Sequence, residues 1–145
     1  MSGRAFLDTN VLVYAVDDAD PHKRDRARQL LAEADPGDLV LSTQVLCEFY
    51  VVVTRKLDCP LPDGVAAEAV ADLSQLPLIV ATDAELVRAG IATCQRWQLS
   101  FWDGLIVAAA TAAGCDLVLS EDLSDGARLG SVRIENPFAG TSSAG

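Results

Sequence analysis

Four acidic residues of this chain stand where folding alone does not call for a carboxylate: Asp8, Glu48, Asp103 and Asp122. Asp8 opens the polar triplet Asp8-Thr9-Asn10, which splits two apolar runs in AFLDTNVLVYA. Glu48 shares a helical stripe with Val45 and Val52, at spacings of three and four, with Phe49 beside it. A charge on that inward face is costly to bury unless it finds a partner or a metal. Asp103 falls on one face with Ile106, Val107 and Ala110 in SFWDGLIVAAATAAG, and Asp122 is the second of the two acids that close LVLSED after its apolar run. Each has a plainer explanation: an Asx turn or cap for Asp8, a salt bridge to Arg4 or Arg55 for Glu48, an N-cap for Asp103, a loop position for Asp122. Taken together, two acids follow strands and two start or interrupt the inward faces of helices. All four can reach one cleft, where like charges need a cation between them.

The chemistry such a cleft suits is limited. The chain has one histidine, His22, and its four cysteines form no C-x-x-C pair. A multi-histidine zinc site is excluded, and a Ser-His-Asp or Cys-His triad would have to use His22, in the polar stretch DADPHKRDRAR, which reads as a solvated helix start. Oxygen-only ligands suit Mg²⁺ or Mn²⁺. Ions of that kind activate water and stabilise charge on a phosphoryl group, which is phosphodiester hydrolysis.

At 145 residues, half of them hydrophobic and 22% charged, the chain reads as one soluble globular domain. Its formal net charge of −10 speaks against a general nucleic-acid coat protein. The densest basic run holds Lys23, Arg24, Arg26 and Arg28. Positive charge early in a helix opposes the dipole, so the run reads either as an RNA contact or as a solvated face offset by Asp20 and Asp25. Cys47, Cys59, Cys94 and Cys115 are expected to be reduced, mostly packed thiols of a cytoplasmic protein. Arg4 and Asp8 interrupt any signal-peptide pattern, and no apolar run approaches the ~20 residues of a membrane helix.

These acids need elements to carry them. Short apolar runs at 5–7, 39–41, 78–80 and 117–119, with a fifth at 132–134, alternate with helical patterns at 11–14, 23–34, 43–56, 63–76, 83–97 and 103–113. Asp63 and Asp83 are expected as N-caps. The alternation predicts a three-layer α/β/α sandwich around a parallel sheet of four to five strands. Ligands in such sheets gather beyond the carboxyl ends of the strands. The domain is expected over residues 1–138, with a flexible tail over 139–145.

At these residues a resemblance becomes specific. LDTNVLVYA, STQVLCEFYVVVTRK, SFWDGLIVAAATAAGC, LVLSEDL and RIENPF, in that order, resemble a PIN domain, and most of all a VapC-type toxin of a type II toxin–antitoxin pair. The resemblance implies a divalent-metal-dependent endoribonuclease, a cognate antitoxin and a homodimer. It implies catalytic roles for Asp8, Glu48, Asp103 and Asp122, with Mg²⁺ or Mn²⁺ held mainly by Asp8 and Asp103. Thr9, Asn10 and Ser120 would orient them, and Glu121 or Asp125 could join the site. Two other classes share features with the pattern. A non-catalytic RNA- or protein-binding module would not need intact acids. An aspartate-based phosphatase would need an acid where Asn10 stands, and a receiver domain a lysine later than Lys56.

Overall fold

A computed structural model describes residues 3–140. The chain runs β1 (Ala5–Leu7), α1 (Thr9–Tyr14), α2 (Pro21–Glu33), a 3-10 turn (Pro36–Asp38), β2 (Leu39–Ser42), α3 (Thr43–Arg55) and α4 (Asp63–Leu73). It continues through β3 (Leu78–Val80), α5 (Ala84–Trp97), α6 (Phe101–Ala112), β4 (Leu117–Leu119), β5 (Arg128–Leu129) and β6 (Val132–Glu135). The strands form one sheet in the order β3-β2-β1-β4-β6-β5. This is the expected α/β class, with helices flanking a mostly parallel sheet. The sheet has six strands where four to five were expected. The extra strand is β5, two residues paired antiparallel to β6, too short to leave a pattern in the sequence.

The central strands β1, β2 and β4 are buried along their whole length, which is why they read as unbroken apolar runs. The chain leaves β1 toward β2 and β3, then crosses back to β4 and β6, so the strand order reverses between β1 and β4. A crevice opens at such a switch point, at the carboxyl ends of the strands. Leu7 pairs with Leu119, and the ladder runs one bond further, from the Asp8 N–H to the Leu119 carbonyl at 3.0 Å. The residues after β1 and after β4 are thus forced side by side.

Caps fix where the helices start. Asp20, Ser42, Asp83 and Ser100 each accept a hydrogen bond from the backbone N–H three residues on. Asp83 is the cap expected of it. Asp63 is not: Pro62 takes the cap position with no side-chain bond, and Asp63 is the first helical residue. Asp103 is not a cap either. Helix α6 begins at Phe101, the Ser100 hydroxyl accepts from the Asp103 N–H at 3.1 Å, and the Asp103 carboxylate is left free of that duty.

Helix α6 is buried on all sides from Gly104 to Ala110. It packs on α5 through glycines on both helices. A Cβ on Gly104 would lie 2.6 Å from Cys94 Cβ and 2.8 Å from the Gly90 carbonyl oxygen. Only a bare backbone permits this approach, and it holds Asp103, the next residue back, against the rest of the fold. The core closes around Phe6, Leu7, Leu41, Phe49 and Val118 and reaches Phe138, whose ring meets Tyr14 edge-on at 4.9 Å. Residues 141–145 of the expected tail lie outside the described residues. Of the four cysteines only Cys115 is buried, while Cys47 and Cys59 are exposed, contrary to the packed thiols expected. His22 is exposed in the first turn of α2, as expected. Among the described residues no helix is long and apolar enough to cross a membrane.

Overpacking at a backbone contact costs about 1–3 kcal/mol. Gly104→Ala should therefore lower the urea midpoint of unfolding with an unchanged slope. An unaltered midpoint would show that the α5–α6 contact has slack.

Candidate active site

Asp8 sits at the switch point as the N-cap of α1, and both of its carboxylate oxygens are used. Oδ1 accepts from the Thr9 N–H at 2.8 Å, and Oδ2 accepts from the Ser120 hydroxyl at 2.7 Å. The capping explanation is thus true of one oxygen only. The residue is 7% exposed and Ser120 is fully buried. Burial raises the Asp8 carboxyl from its ordinary range to about 6. The Ser120 hydroxyl and the Thr9 N–H pull it back down, and the charges of Glu48 and Asp122 push it up further.

Glu48, half-buried on α3, reaches the same place. Thr9 Oγ1 donates to its Oε2 at 2.7 Å, and Gln44 Nε2 donates to its Oε1 at 2.8 Å. No arginine meets it: Arg4 instead donates to the Ala113 carbonyl. Asn10 ties the other side together. Its amide nitrogen lies 3.2 Å from Asp122, 3.3 Å from the Ser120 hydroxyl and 3.4 Å from Asp8. Its oxygen accepts from the Glu121 N–H at 3.1 Å. Asp122 itself is exposed. Asp103 is half-buried in the first turn of α6, and its carboxylate makes no hydrogen bond among the described residues. Its tie to the cluster is indirect, through Gln44, whose amide also reaches the Trp102 carbonyl at 3.4 Å.

The other residues singled out in the sequence are drawn elsewhere. Glu121 accepts from the Tyr14 hydroxyl at 2.6 Å and pairs with Lys23 at 2.5 Å. Asp125 accepts from the Asn136 N–H at 2.9 Å, fastening the C-terminal loop. Arg24 pairs with Asp18 and Asp25, Arg26 donates to the Pro137 carbonyl, and Arg28 donates to the Ala15 carbonyl. Every member of the basic run is engaged within the chain.

Two residues of the network, Gln44 and Tyr14, escaped the sequence reading, and a third, Lys23, was read there as an RNA contact or a solvated charge. Gln44 was legible, since it stands four residues before Glu48 on one helix. The pairing of Tyr14 and Lys23 with Glu121 was not, because Glu121 is about a hundred positions away.

The arrangement fits a hard divalent cation. The donors are all oxygen, and among the described residues Asp8, Glu48, Asp103 and Asp122 form no ion pair. Among the described residues the cations of the three ion pairs are Lys23 and Arg24, and their acids are Glu121, Asp18 and Asp25. No three acids among the described residues are closed up around a common point. A groove of about 910 Å³ leads away from the acids. Thr9, Asn10, Glu48 and Asp122 line one end, and Val51, Val52, Lys56, Trp102 and Leu105 line the remainder.

The sequence model of the PIN domain matches residues 5–124. No curated relative matches the chain. Several solved structures share the fold. VapC20 of Mycobacterium tuberculosis, a toxin that cleaves the sarcin–ricin loop, is 24% identical with a TM-score of 0.67, over 89% of this chain and 98% of that one. A toxin–antitoxin complex from Klebsiella pneumoniae is 20% identical with a TM-score of 0.68, over 92% and 98%. DNA-bound VapBC from Salmonella typhimurium is 19% identical with a TM-score of 0.62, also over 92% and 98%.

Asp8 carries a signature in stability. The folded protein keeps its proton up to about pH 6, whereas the unfolded chain keeps it only to 3.8. The stability tied to this proton is present below pH 4 and is lost as pH rises through 6, by roughly 3 kcal/mol. In chelator-treated protein, the wild-type-minus-Asp8→Asn difference in unfolding free energy should fall between pH 4 and pH 7. Parallel curves for the two proteins would contradict the burial assigned to this carboxylate.

Proposed function

Because the chain belongs to the PIN domain family, we propose that it is a divalent-metal-dependent endoribonuclease and the toxin of a VapC-type toxin–antitoxin pair. The observation that carries this reading is the gathering of the Asp8, Glu48 and Asp122 carboxylates at the switch point of the sheet, none of them in an ion pair among the described residues. Asp8 and Asp103 are the residues proposed to hold Mg²⁺ or Mn²⁺, with Glu48 and Asp122 completing the set. When bound, such an ion supplies Lewis acidity toward a phosphate oxygen and lowers the pKa of water.

The chain's own residues do the rest. Ser120 and the Thr9 N–H fix the two oxygens of Asp8 in place. Thr9 Oγ1 and Gln44 do the same for Glu48, so that neither acid has to reorganise when substrate arrives. Asn10 spans Asp8 and Asp122 and holds the loop after β4 to the loop after β1. Asp122 is the exposed acid of the set.

RNA as substrate and a cognate antitoxin as partner belong to the same proposal. VapC20 and the toxin–antitoxin complexes share this fold. The groove is apolar along Val51, Val52, Leu105 and Trp102 and acidic at one end, which suits a partner helix carrying arginine or lysine. A homodimer is also proposed. For RNA contacts, Lys56 is the basic residue lining the groove, whereas Lys23, Arg24, Arg26 and Arg28 already have partners within the chain.

Purified protein should cut single-stranded RNA only with Mg²⁺ or Mn²⁺ and leave a generic phosphatase substrate untouched. Asp8→Asn and Asp103→Asn should each lower cleavage by more than the ~10–100-fold typical of losing a supporting residue, while Ser120→Ala should fall within that range. Full activity of Asp8→Asn, or cleavage in excess chelator, would remove the reading. Lys56→Ala should flatten the salt dependence of RNA binding by about one phosphate contact, and Arg26→Ala should not. The reverse outcome would move the RNA path onto α2.

A further inference from the structure

Glu121 lies beside Asp122, yet the two acids are held in opposite ways. The Glu121 carboxylate is gripped by the Tyr14 hydroxyl and by Lys23, and Lys23 Nζ also stands 3.3 Å from the Tyr14 oxygen and 4.9 Å from the Tyr14 ring centre. Tyr14 is braced from behind by the edge of Phe138. The Glu121 N–H meanwhile donates to Asn10. The side chain and backbone of this one residue are therefore clamped by α1 and α2 together. Asp122 has no such grip: its contacts are the Asn10 amide and, through its own N–H, the Ser120 hydroxyl at 3.1 Å.

From this we infer that Tyr14 and Lys23 are positioning residues of the cation site: by clamping Glu121 they fix the loop after β4 so that Asp122, and not Glu121, faces Asp8. Ser-Glu-Asp offers two adjacent acids, and adjacent residues in a loop point in different directions. Whichever carboxylate is captured by Lys23 is removed from the cation site, and the other is delivered to it. Lys23 neutralises the acid that would otherwise add a fifth negative charge to the cluster. Its role therefore runs through Asp122, with no contact to the cation or to RNA required.

The clamp matters only if the metal-dependent reading above holds, and Mn²⁺ binding measured by calorimetry on the full chain separates the two. Removing a positive charge near an acidic cluster should, by electrostatics alone, strengthen cation binding. Positioning predicts the opposite sign. Lys23→Met should weaken Mn²⁺ affinity by about tenfold, on the scale of losing a supporting residue, and Lys23→Arg should restore most of it. In an Asp122→Asn background, Lys23→Met should have no further effect. Tyr14→Phe keeps the contact with Phe138 and should weaken Mn²⁺ several-fold, so it carries the test if Lys23→Met fails to fold. Unchanged or tighter Mn²⁺ binding by these variants overturns the inference, as does a loss that adds fully to that of Asp122→Asn. Wild-type protein that binds no Mn²⁺ overturns the metal-dependent reading, and the clamp's role with it.

Discussion

The burial of a carboxylate with no counter-charge beside it organises this molecule. Asp8 is almost wholly withdrawn from water, feels the charges of Glu48 and Asp122, and pairs with no lysine or arginine among the described residues. A fold selected for stability alone would not leave such a group in place, since an uncompensated buried charge costs several kcal/mol. The surroundings lessen that cost without removing it. Every hydrogen bond to Asp8 comes from a neutral donor: a backbone N–H, a hydroxyl and an amide. Neutral donors orient a carboxylate while leaving its charge available to a mobile cation.

The rest of the fold serves that juxtaposition. Parallel pairing of β1 with β4 at the point where strand order reverses brings the Asp8 and Ser120 loops together from opposite ends of the sequence. The cap of α3 at Ser42 sets the phase of the helix, and with it the direction of Glu48. The glycine contact between α5 and α6 fixes the start of α6, which carries Asp103. Charges that would quench the cluster are kept away by partners of their own. Lys23 is taken by Glu121, Arg24 by surface acids, and Arg26 and Arg28 by backbone carbonyls.

Much of this was legible in the sequence because the determinants are local. Apolar runs at the right spacing located β1 to β4 and β6. The polar triplet at Asp8-Thr9-Asn10 could not be reconciled with a buried element, and that conflict marked the site. Strand β5 was not legible, because its pairing depends on a turn and not on a pattern. The plainer explanation of Asp103 as an N-cap fails because helix α6 starts two residues earlier and the Ser100 hydroxyl fills that position. The division of labour between Glu121 and Asp122 was beyond reach for a different reason. It is set by Lys23 and Tyr14, about a hundred residues upstream, and no spacing rule links positions so far apart. The basic run shows the same limit, since its residues were visible but their partners were not.

The most direct test of the whole account is anomalous diffraction from crystals of the full chain soaked in Mn²⁺. A manganese peak within ligand distance of Asp8 and Asp103, with Glu48 and Asp122 beside it, is the predicted result. A manganese ion held elsewhere, or an Asp8 carboxylate that stays unliganded at neutral pH in saturating Mn²⁺, would contradict it.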